Sequence, residues 1–223
     1  MAEEENGGPA YMDLVRHYEA CLAEHGPNHR GVDWPNARDL GVRFDVMLEL
    51  LTHDRSGRIH LLDLGCGPGL MLDHINAHPG RHPDRAIEYE GIDLSSEMIR
   101  AASDRHPEGA FSVRDILLDP LEPLSVDYVV MNGVLTERGA MSFDEMERFA
   151  ADIIGAAYAA ARKGVAFNVM STLVDWERDD LFHWPFDRMV ACLSPLTRHL
   201  TMRADYGLRE YTVYLRREPL PYG

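Results

Sequence analysis

The chain has 223 residues, with 22 Lys and Arg against 37 Asp and Glu, and so a formal net charge of −15. Such a charge disfavours unaided binding to nucleic acid and to anionic membrane surfaces. With 45% hydrophobic residues, the composition is that of an ordinary globular protein with one substantial core. We predict a single domain over residues 1–223 with a small-molecule partner, and homo-oligomer formation stays open.

The three cysteines, Cys21, Cys66 and Cys192, are an odd number at wide spacings. Their spacing matches neither a disulfide framework nor a zinc site, so we predict no metal site. The acidic start lacks the apolar segment of a secretory signal, and no run of 18 apolar residues occurs. We therefore expect a cytoplasmic protein with a short disordered lead over residues 1–9.

Residues 10–54 are predicted to form a helical cap. Apolar residues recur at helical spacing from Tyr11 to Leu22 and again from Leu40 to Leu51. The segment 25–36 between them is polar and rich in Gly, Pro and Asn, which predicts a loop. This loop carries Trp34, an indole that needs something to pack on.

The remaining residues, 55–223, alternate short apolar runs with helical segments, which is typical of βαβ units. Runs that are apolar on both faces predict a parallel sheet covered by helices. Ser95 is predicted to cap one helix, and Ser142 with Glu145 forms the capping box of another. The segment 179–193 predicts a helix interrupted by Pro185, and alternation after residue 199 predicts a terminal β-hairpin.

The most informative stretch is LLDLGCGPG, which joins a strand to a helix through Gly65, Gly67 and Gly69. Alternating glycines let a ligand touch bare backbone beside the free N–H groups of a helix start. The dinucleotide fingerprint is not matched, because Leu70 stands where its third glycine belongs. An ordinary tight turn is the alternative interpretation.

Two carboxylates follow later strands. Asp93 ends the next predicted strand, where a carboxylate accepts hydrogen bonds from both hydroxyls of a ribose. The alternative role of a helix cap is already filled by Ser95. Asp115 ends the third predicted strand, where it could accept from an adenine amino group while Ile116 packs on the ring, although a surface acid is the alternative.

Taken together, LLDLGCGPG, EGIDLSSEMI and VRDI resemble the class I methyltransferases that use S-adenosylmethionine. The resemblance covers about residues 59–170. It implies an α/β fold with a doubly wound, Rossmann-like sheet of seven strands, mostly parallel with an antiparallel C-terminal strand. It also implies S-adenosylmethionine as the cofactor, lying over the ends of the first three strands.

The resemblance further implies roles for individual residues. Asp63 and the 65–67 loop would face the methionyl group, Asp93 the ribose, and Asp115 the adenine. Asn132, at the end of the fourth strand, would contact cofactor or acceptor, unless it bonds its own turn. The complete set of candidate cofactor contacts is Asp63, Gly65, Cys66, Gly67, Asp93, Leu94, Met98, Asp115, Ile116, Asn132, Trp34 and Arg43.

Methyl transfer is an in-line displacement, so the protein mainly aligns its two substrates, and a base is needed only for an acceptor that must lose a proton. His183 follows the fifth strand among acidic and aromatic residues and is the candidate base, with a helix-capping role as the alternative. From the cap, Trp34, Tyr11 and Arg43 are candidates to close over the cofactor. Arg43 could pair with the methionyl carboxylate.

The sequence therefore predicts a methyltransferase that acts on oxygen or nitrogen of a small molecule and resembles stand-alone bacterial biosynthetic members. Asn132 is followed by Gly-Val rather than Pro-Pro-Tyr, which weakens a nucleic-acid or protein-nitrogen acceptor. One alternative is an NAD(P)-dependent oxidoreductase, disfavoured by Leu70 and by the lack of a Tyr-x-x-x-Lys pair. A second is a non-catalytic module that binds S-adenosylmethionine.

Overall fold

The computed structural model describes residues 9–79 and 86–221. The predicted disordered lead over residues 1–9 falls almost entirely outside these ranges. Two helices, α1 (Met12–His25) and α2 (Ala37–Leu48), precede the first strand, as predicted for the cap. The loop between them contains one 3-10 turn, and a second follows α2 directly. Helix α2 begins where it does because the Asn36 side chain accepts hydrogen bonds from the first backbone N–H groups of the helix.

The described residues form one seven-stranded sheet with the order β3-β2-β1-β4-β5-β7-β6. Its strands are β1 (Arg58–Leu64), β2 (Ala86–Asp93), β3 (Ala110–Val113), β4 (Val126–Met131), β5 (Ala161–Met170), β6 (His199–Arg203) and β7 (Glu210–Arg216). The first five strands pair in parallel, whereas β7 runs antiparallel to both β5 and β6. The predicted fold class and the terminal hairpin are confirmed.

Four further helices connect or follow the strands: α3 (Leu70–Ala77), α4 (Ser96–Arg105), α5 (Phe143–Ala160) and α6 (Phe186–Leu193). Ser95 caps α4 and Ser142 forms a capping box with Glu145 at α5, both as predicted. Helix is wrong for residues 179–185, because this segment is held by isolated bridges from Leu181 and His183 to neighbouring backbone. None of the helices described is long and apolar enough to cross a membrane.

The core lies on both faces of the sheet because alternate residues of the central strands point in opposite directions. On β1, Leu62 and Leu64 pack in the cluster that includes α5, while Ile59 and Leu61 pack in the cluster that includes α2. The chain places β2 on one side of β1 and β4 on the other. This reversal leaves a crevice at the carboxyl ends of β1 and β4, where ligands of open α/β sheets bind.

Candidate cofactor and active site

The glycine loop after β1 forms one wall of that crevice. Gly65, Gly67 and Gly69 all have positive φ, at 78°, 52° and 77°. A Cβ on Gly65 would lie only 2.4 Å from a methyl carbon of Val134. Glycine is therefore required at this position both by the left-handed backbone and by the close approach of the loop that follows β4.

Asp93, the last residue of β2, holds the glycine loop in place. Its carboxylate accepts hydrogen bonds from the backbone N–H of Gly67 at 2.8 Å and of Ser95 at 2.9 Å. Burial raises the pKa of Asp93, while these backbone donors oppose the shift. A carboxylate has about four lone-pair sites, so acceptor capacity remains for a ligand.

Asp63 lies on β1 and is nearly inaccessible to solvent. The Tyr89 hydroxyl donates a hydrogen bond of 2.6 Å to its carboxylate. Burial raises the pKa of Asp63 to about 7, with a further contribution from the negative charge of Asp93. A positively charged group bound next to Asp63 would therefore favour the ionised form of its carboxyl group near neutral pH.

Asp115 joins the sheet to the cap. The Tyr11 hydroxyl donates a hydrogen bond of 2.7 Å to one carboxylate oxygen, and the backbone N–H of Leu117 donates one of 2.9 Å to the other. The Tyr11 ring stacks on Phe149 of α5, with 5.0 Å between ring centroids. The N-terminal end of α1 is thereby fastened over the carboxyl edge of the sheet.

Asn132 follows β4 and carries a buried amide oxygen that has no hydrogen-bond partner. The next residue, Gly133, donates its backbone N–H to the Asn168 side chain at 2.7 Å and has a φ of 84°. A buried acceptor without a donor is costly. The Asn132 amide therefore suits a ligand that brings a donor to this point.

These features surround one pocket at the carboxyl ends of β1, β2 and β4. Its lining includes ten of the twelve predicted cofactor contacts: Asp63, Gly65, Gly67, Asp93, Leu94, Met98, Asp115, Ile116, Asn132 and Trp34. Tyr11, a candidate to close over the cofactor, also lines the pocket, whereas the sequence did not identify the contribution of Leu14, Val15 and Tyr18 of α1. The apolar spacing of α1 showed that it has a packing face but not what that face covers.

Two predicted contacts do not line the pocket. The Cys66 side chain points towards β2, since its sulfur would lie 2.8 Å from a Cβ on Gly91. Arg43 pairs with Glu210 instead of facing the methionyl site: its Nε lies 2.8 Å from Glu210 Oε2, and both side chains are buried. The Arg43 guanidinium also lies over the Trp34 ring, 3.7 Å from the centroid.

The prediction of His183 as a general base is also corrected. His183 is buried outside the pocket lining. Its Nδ1 donates to the Ser171 carbonyl at 2.7 Å, and its Nε2 accepts from the Arg178 N–H at 3.4 Å. Both ring nitrogens are engaged with backbone, so the imidazole fixes the loop after β5 and has no free lone pair for a substrate proton.

The fold and the pocket define a Rossmann-like α/β protein with an acidic crevice for a nucleotide-type ligand. Residues 62–157 match the family described as "Methyltransferase domain". A protein of Mycobacterium tuberculosis named "Putative methyltransferase Rv1506c" is 31% identical over 158 residues, which span 70% of this chain and 91% of the relative. The chain therefore belongs to the class I methyltransferases that depend on S-adenosylmethionine.

Two further similarities extend this comparison. A Streptomyces griseus protein named "Ribosomal RNA large subunit methyltransferase G" is 36% identical over 107 residues, covering 47% of this chain and 27% of that protein. The crystal structure of magnesium protoporphyrin IX methyltransferase from Synechocystis with bound S-adenosylmethionine has a TM-score of 0.65. The superposition covers 96% of this chain and 100% of the Synechocystis chain, and the two sequences are 14% identical. This similarity shows that the two proteins share a fold and no more.

The pocket residues fit S-adenosylmethionine. The cofactor carries a sulfonium and an ammonium group, and the carboxylates of Asp63, Asp93 and Asp115 surround the pocket. The buried Asn132 oxygen lacks a donor, which an ammonium or hydroxyl group can supply. An oxidoreductase is excluded by the family to which the chain belongs.

We expect His183→Ala to lower the free energy of unfolding by about 1–3 kcal/mol, because the buried Ser171 carbonyl loses its donor. Binding of S-adenosylhomocysteine should stay unchanged, since His183 does not line the pocket. Chemical denaturation and calorimetric titration measure the two effects. A large loss of cofactor affinity in a variant of normal stability would return His183 to the binding site.

Proposed function

We propose that this methyltransferase acts on oxygen or nitrogen of a small molecule. The observation that carries the proposal is the cover over the pocket. Helix α1 and Trp34 line it from the cap side, and Trp34 lies against Gly133, where a Cβ would be 3.1 Å from the indole ring. A covered pocket with aromatic walls suits a compact acceptor better than a polymer.

The cofactor-binding roles follow from the positions of the acids. When bound, S-adenosylmethionine supplies a methyl group on a positively charged sulfur. Asp93 holds the ribose hydroxyls while it anchors the glycine loop, and Asp115 with Ile116 holds the adenine. Asp63 and Asn132 face the methionyl ammonium. These contacts fix the position of the cofactor, so that the acceptor needs only to be aligned in a site without water.

The acceptor side has no histidine among the described lining residues. Tyr18 lines this side, but burial raises its pKa far above the ordinary value, so its hydroxyl stays protonated and serves as a donor. Its hydroxyl lies 3.4 Å from the Gly133 carbonyl. An acceptor with a lone pair already available, such as a neutral amine or a phenolate, needs no base from the protein.

An RNA acceptor is the competing assignment, because two relatives are named as ribosomal RNA methyltransferases. The net charge of −15 opposes it. RNA binding depends on neutralising phosphates with Lys and Arg, of which this chain has 22 against 37 acids. The similarity to the Streptomyces griseus protein spans only 47% of this chain and 27% of that relative, so the acceptor of the relative does not transfer to this chain.

Radiolabelled S-adenosylmethionine tests the proposal in three parallel incubations: a bacterial small-molecule extract, total ribosomal RNA, and protein alone. Label should move to material of low molecular mass only. Label in RNA would refute the small-molecule acceptor. Cofactor binding without transfer to either pool would favour a non-catalytic module. Asp93→Ala at subsaturating cofactor serves as the matched negative control, because it weakens cofactor binding without touching the acceptor side.

Cofactor affinity should depend on pH through Asp63. Its pKa is raised to about 7 by burial, so the carboxyl group is increasingly protonated below pH 7. The ammonium group of the ligand pairs with the ionised form of Asp63, so affinity should fall by up to about tenfold per pH unit below that pKa and level off above it. Titration calorimetry with S-adenosylhomocysteine from pH 5.5 to 8.5, an interval chosen to span about 1.5 units on either side, measures the slope.

Asp63→Asn is the control for this titration, because the amide has no charge to lose. Its affinity should be weak and nearly independent of pH over the same interval. An equal slope in the wild-type protein and in Asp63→Asn would assign the pH dependence to another group and contradict the proposed contact.

A further inference from the structure

Three metal-ligating side chains meet where α1 contacts the loop before α2. His17 and Cys21 are one turn apart on α1, and Asp33 lies in the loop before α2. The His17 Nε2 atom lies 2.9 Å from Asp33 Oδ2 and 3.8 Å from Cys21 Sγ, and the three ligand atoms all lie within 4.8 Å of one another. We propose that these side chains form a zinc site that ties α1 to the loop before α2.

The spacing of the three atoms agrees with zinc chemistry. Imidazole nitrogen, thiolate sulfur and carboxylate oxygen all bind Zn²⁺ at roughly 2.0–2.3 Å, and tetrahedral geometry then separates neighbouring ligand atoms by about 3.3–3.6 Å. The distance of 2.9 Å from His17 Nε2 to Asp33 Oδ2 is shorter than that range, and the distance of 3.8 Å from His17 Nε2 to Cys21 Sγ is longer. His17 and Asp33 are largely exposed, so their side chains are free to make the small movements needed. Three protein ligands leave the fourth position for water.

The surrounding charges favour a cation. The carboxylates of Asp33, Glu24 and Glu137 all interact electrostatically with the Cys21 thiol. The half-buried Glu137 carboxyl group interacts with Asp33, Asp180 and His17, and Arg178 supplies a positive charge beside them. A divalent ion compensates these charges and favours the thiolate form of Cys21.

The proposed zinc site would hold together the two segments of the cap that cover the pocket. Tyr18 follows His17 and Trp34 follows Asp33, and both Tyr18 and Trp34 line the pocket. Asp33 has a φ of 57° at the end of the 3-10 turn, which directs the chain towards Trp34. A metal ion would thus join the two segments that cover the crevice. Cysteine spacing alone predicted no metal site, because the ligand pattern is His-x-x-x-Cys on a helix with a distant Asp.

Cobalt and zinc titration of the untagged full chain, stripped of metal with a chelator, tests the site directly. We expect one equivalent of Co²⁺ to produce a thiolate-to-cobalt charge-transfer band that Zn²⁺ abolishes. The band should be absent in Cys21→Ser and strongly weakened in His17→Ala and Asp33→Ala. Two matched controls should keep it: Cys192→Ser, which removes another half-buried cysteine, and His25→Ala, which removes another histidine of α1.

Two outcomes would overturn the site: no charge-transfer band in the wild-type chain, or a band that survives Cys21→Ser. Hydrogen exchange tests the link between the segments. Zn²⁺ should slow amide exchange in α1 and in the loop before α2 of the wild-type chain, but not of Cys21→Ser. Equal rates of amide exchange in these two segments with and without Zn²⁺ would refute the proposal that the metal ion joins them. Neither measurement uses cofactor or acceptor, so their results are independent of the proposed function.

Discussion

Glu210→Ala is expected to lower the free energy of unfolding by about 3–5 kcal/mol, the cost of leaving a buried charge without its partner. Arg43 and Glu210 are only 9% and 1% exposed, and the Arg43 Nε donates to Glu210 Oε2 at 2.8 Å. Burial raises the pKa of Glu210, and the Arg43 guanidinium opposes that shift. Without Glu210, the Arg43 guanidinium would remain buried with the Trp34 ring as its main neighbour.

The same substitution should weaken cofactor binding. The other Glu210 oxygen accepts from the Asn168 amide at 3.0 Å, and the Asn168 oxygen accepts from the backbone N–H of Gly133 at 2.7 Å. This series of contacts connects α2 and β7 with β5 and the loop that carries Asn132. Loss of Glu210 therefore releases one side of the pocket as well as the cap.

Guanidinium denaturation measures the stability, and the double variant separates the pair from its surroundings. Arg43→Ala with Glu210→Ala should cost less than the sum of the two single changes, because neither charge is then left unpaired. Glu218→Ala removes an exposed carboxylate near the end of β7 and should change stability by less than about 0.5 kcal/mol. A Glu210→Ala cost below about 1 kcal/mol would show that the pair contributes little.

The fold, and the position of most candidate contacts around one pocket, could be predicted because their signals are local. The glycine loop, Asp93 and Asp115 each lie at or just beyond the carboxyl end of a strand, and the carboxyl ends of parallel strands meet at one edge of the sheet. Ten of twelve predicted contacts accordingly line the pocket. Cys66 lies in the same loop but faces the other way, since its direction depends on the backbone angles of the flanking glycines.

The errors concern residues whose partners are distant in the chain. Arg43 and Glu210 are separated by 167 positions, and no local pattern links them. His183 lies in an acidic and aromatic segment that resembles an acceptor site, yet its bridge to Met170 directs the ring to backbone. The sequence predicted an interruption of the helix at Pro185. That residues 179–184 are not helical follows only from their contacts with other segments, such as the bridges at Leu181 and His183.

Asp93→Ala should weaken the binding of S-adenosylhomocysteine by about 1.5–3 kcal/mol, the contribution of hydrogen bonds to a charged group, or roughly 10- to 150-fold in the dissociation constant. The proposed contact with the ribose is lost, and so are the two backbone hydrogen bonds that Asp93 accepts from Gly67 and Ser95. Both losses act in the same direction, because the glycine loop then has no side chain to hold its shape. Calorimetric titration of the folded variant measures the change.

Two further variants assign this effect to the carboxylate itself. Asp93→Asn keeps one acceptor oxygen for the Gly67 N–H and should lose less affinity than Asp93→Ala. Asp104→Ala removes an equal charge from the exposed side of α4 and should bind the ligand as the wild-type protein does. If Asp104→Ala weakened binding as much as Asp93→Ala, the effect would come from the overall field of an acidic protein. A loss confined to position 93 would instead assign the effect to this carboxylate, which holds the glycine loop at the end of β2 through the Gly67 N–H.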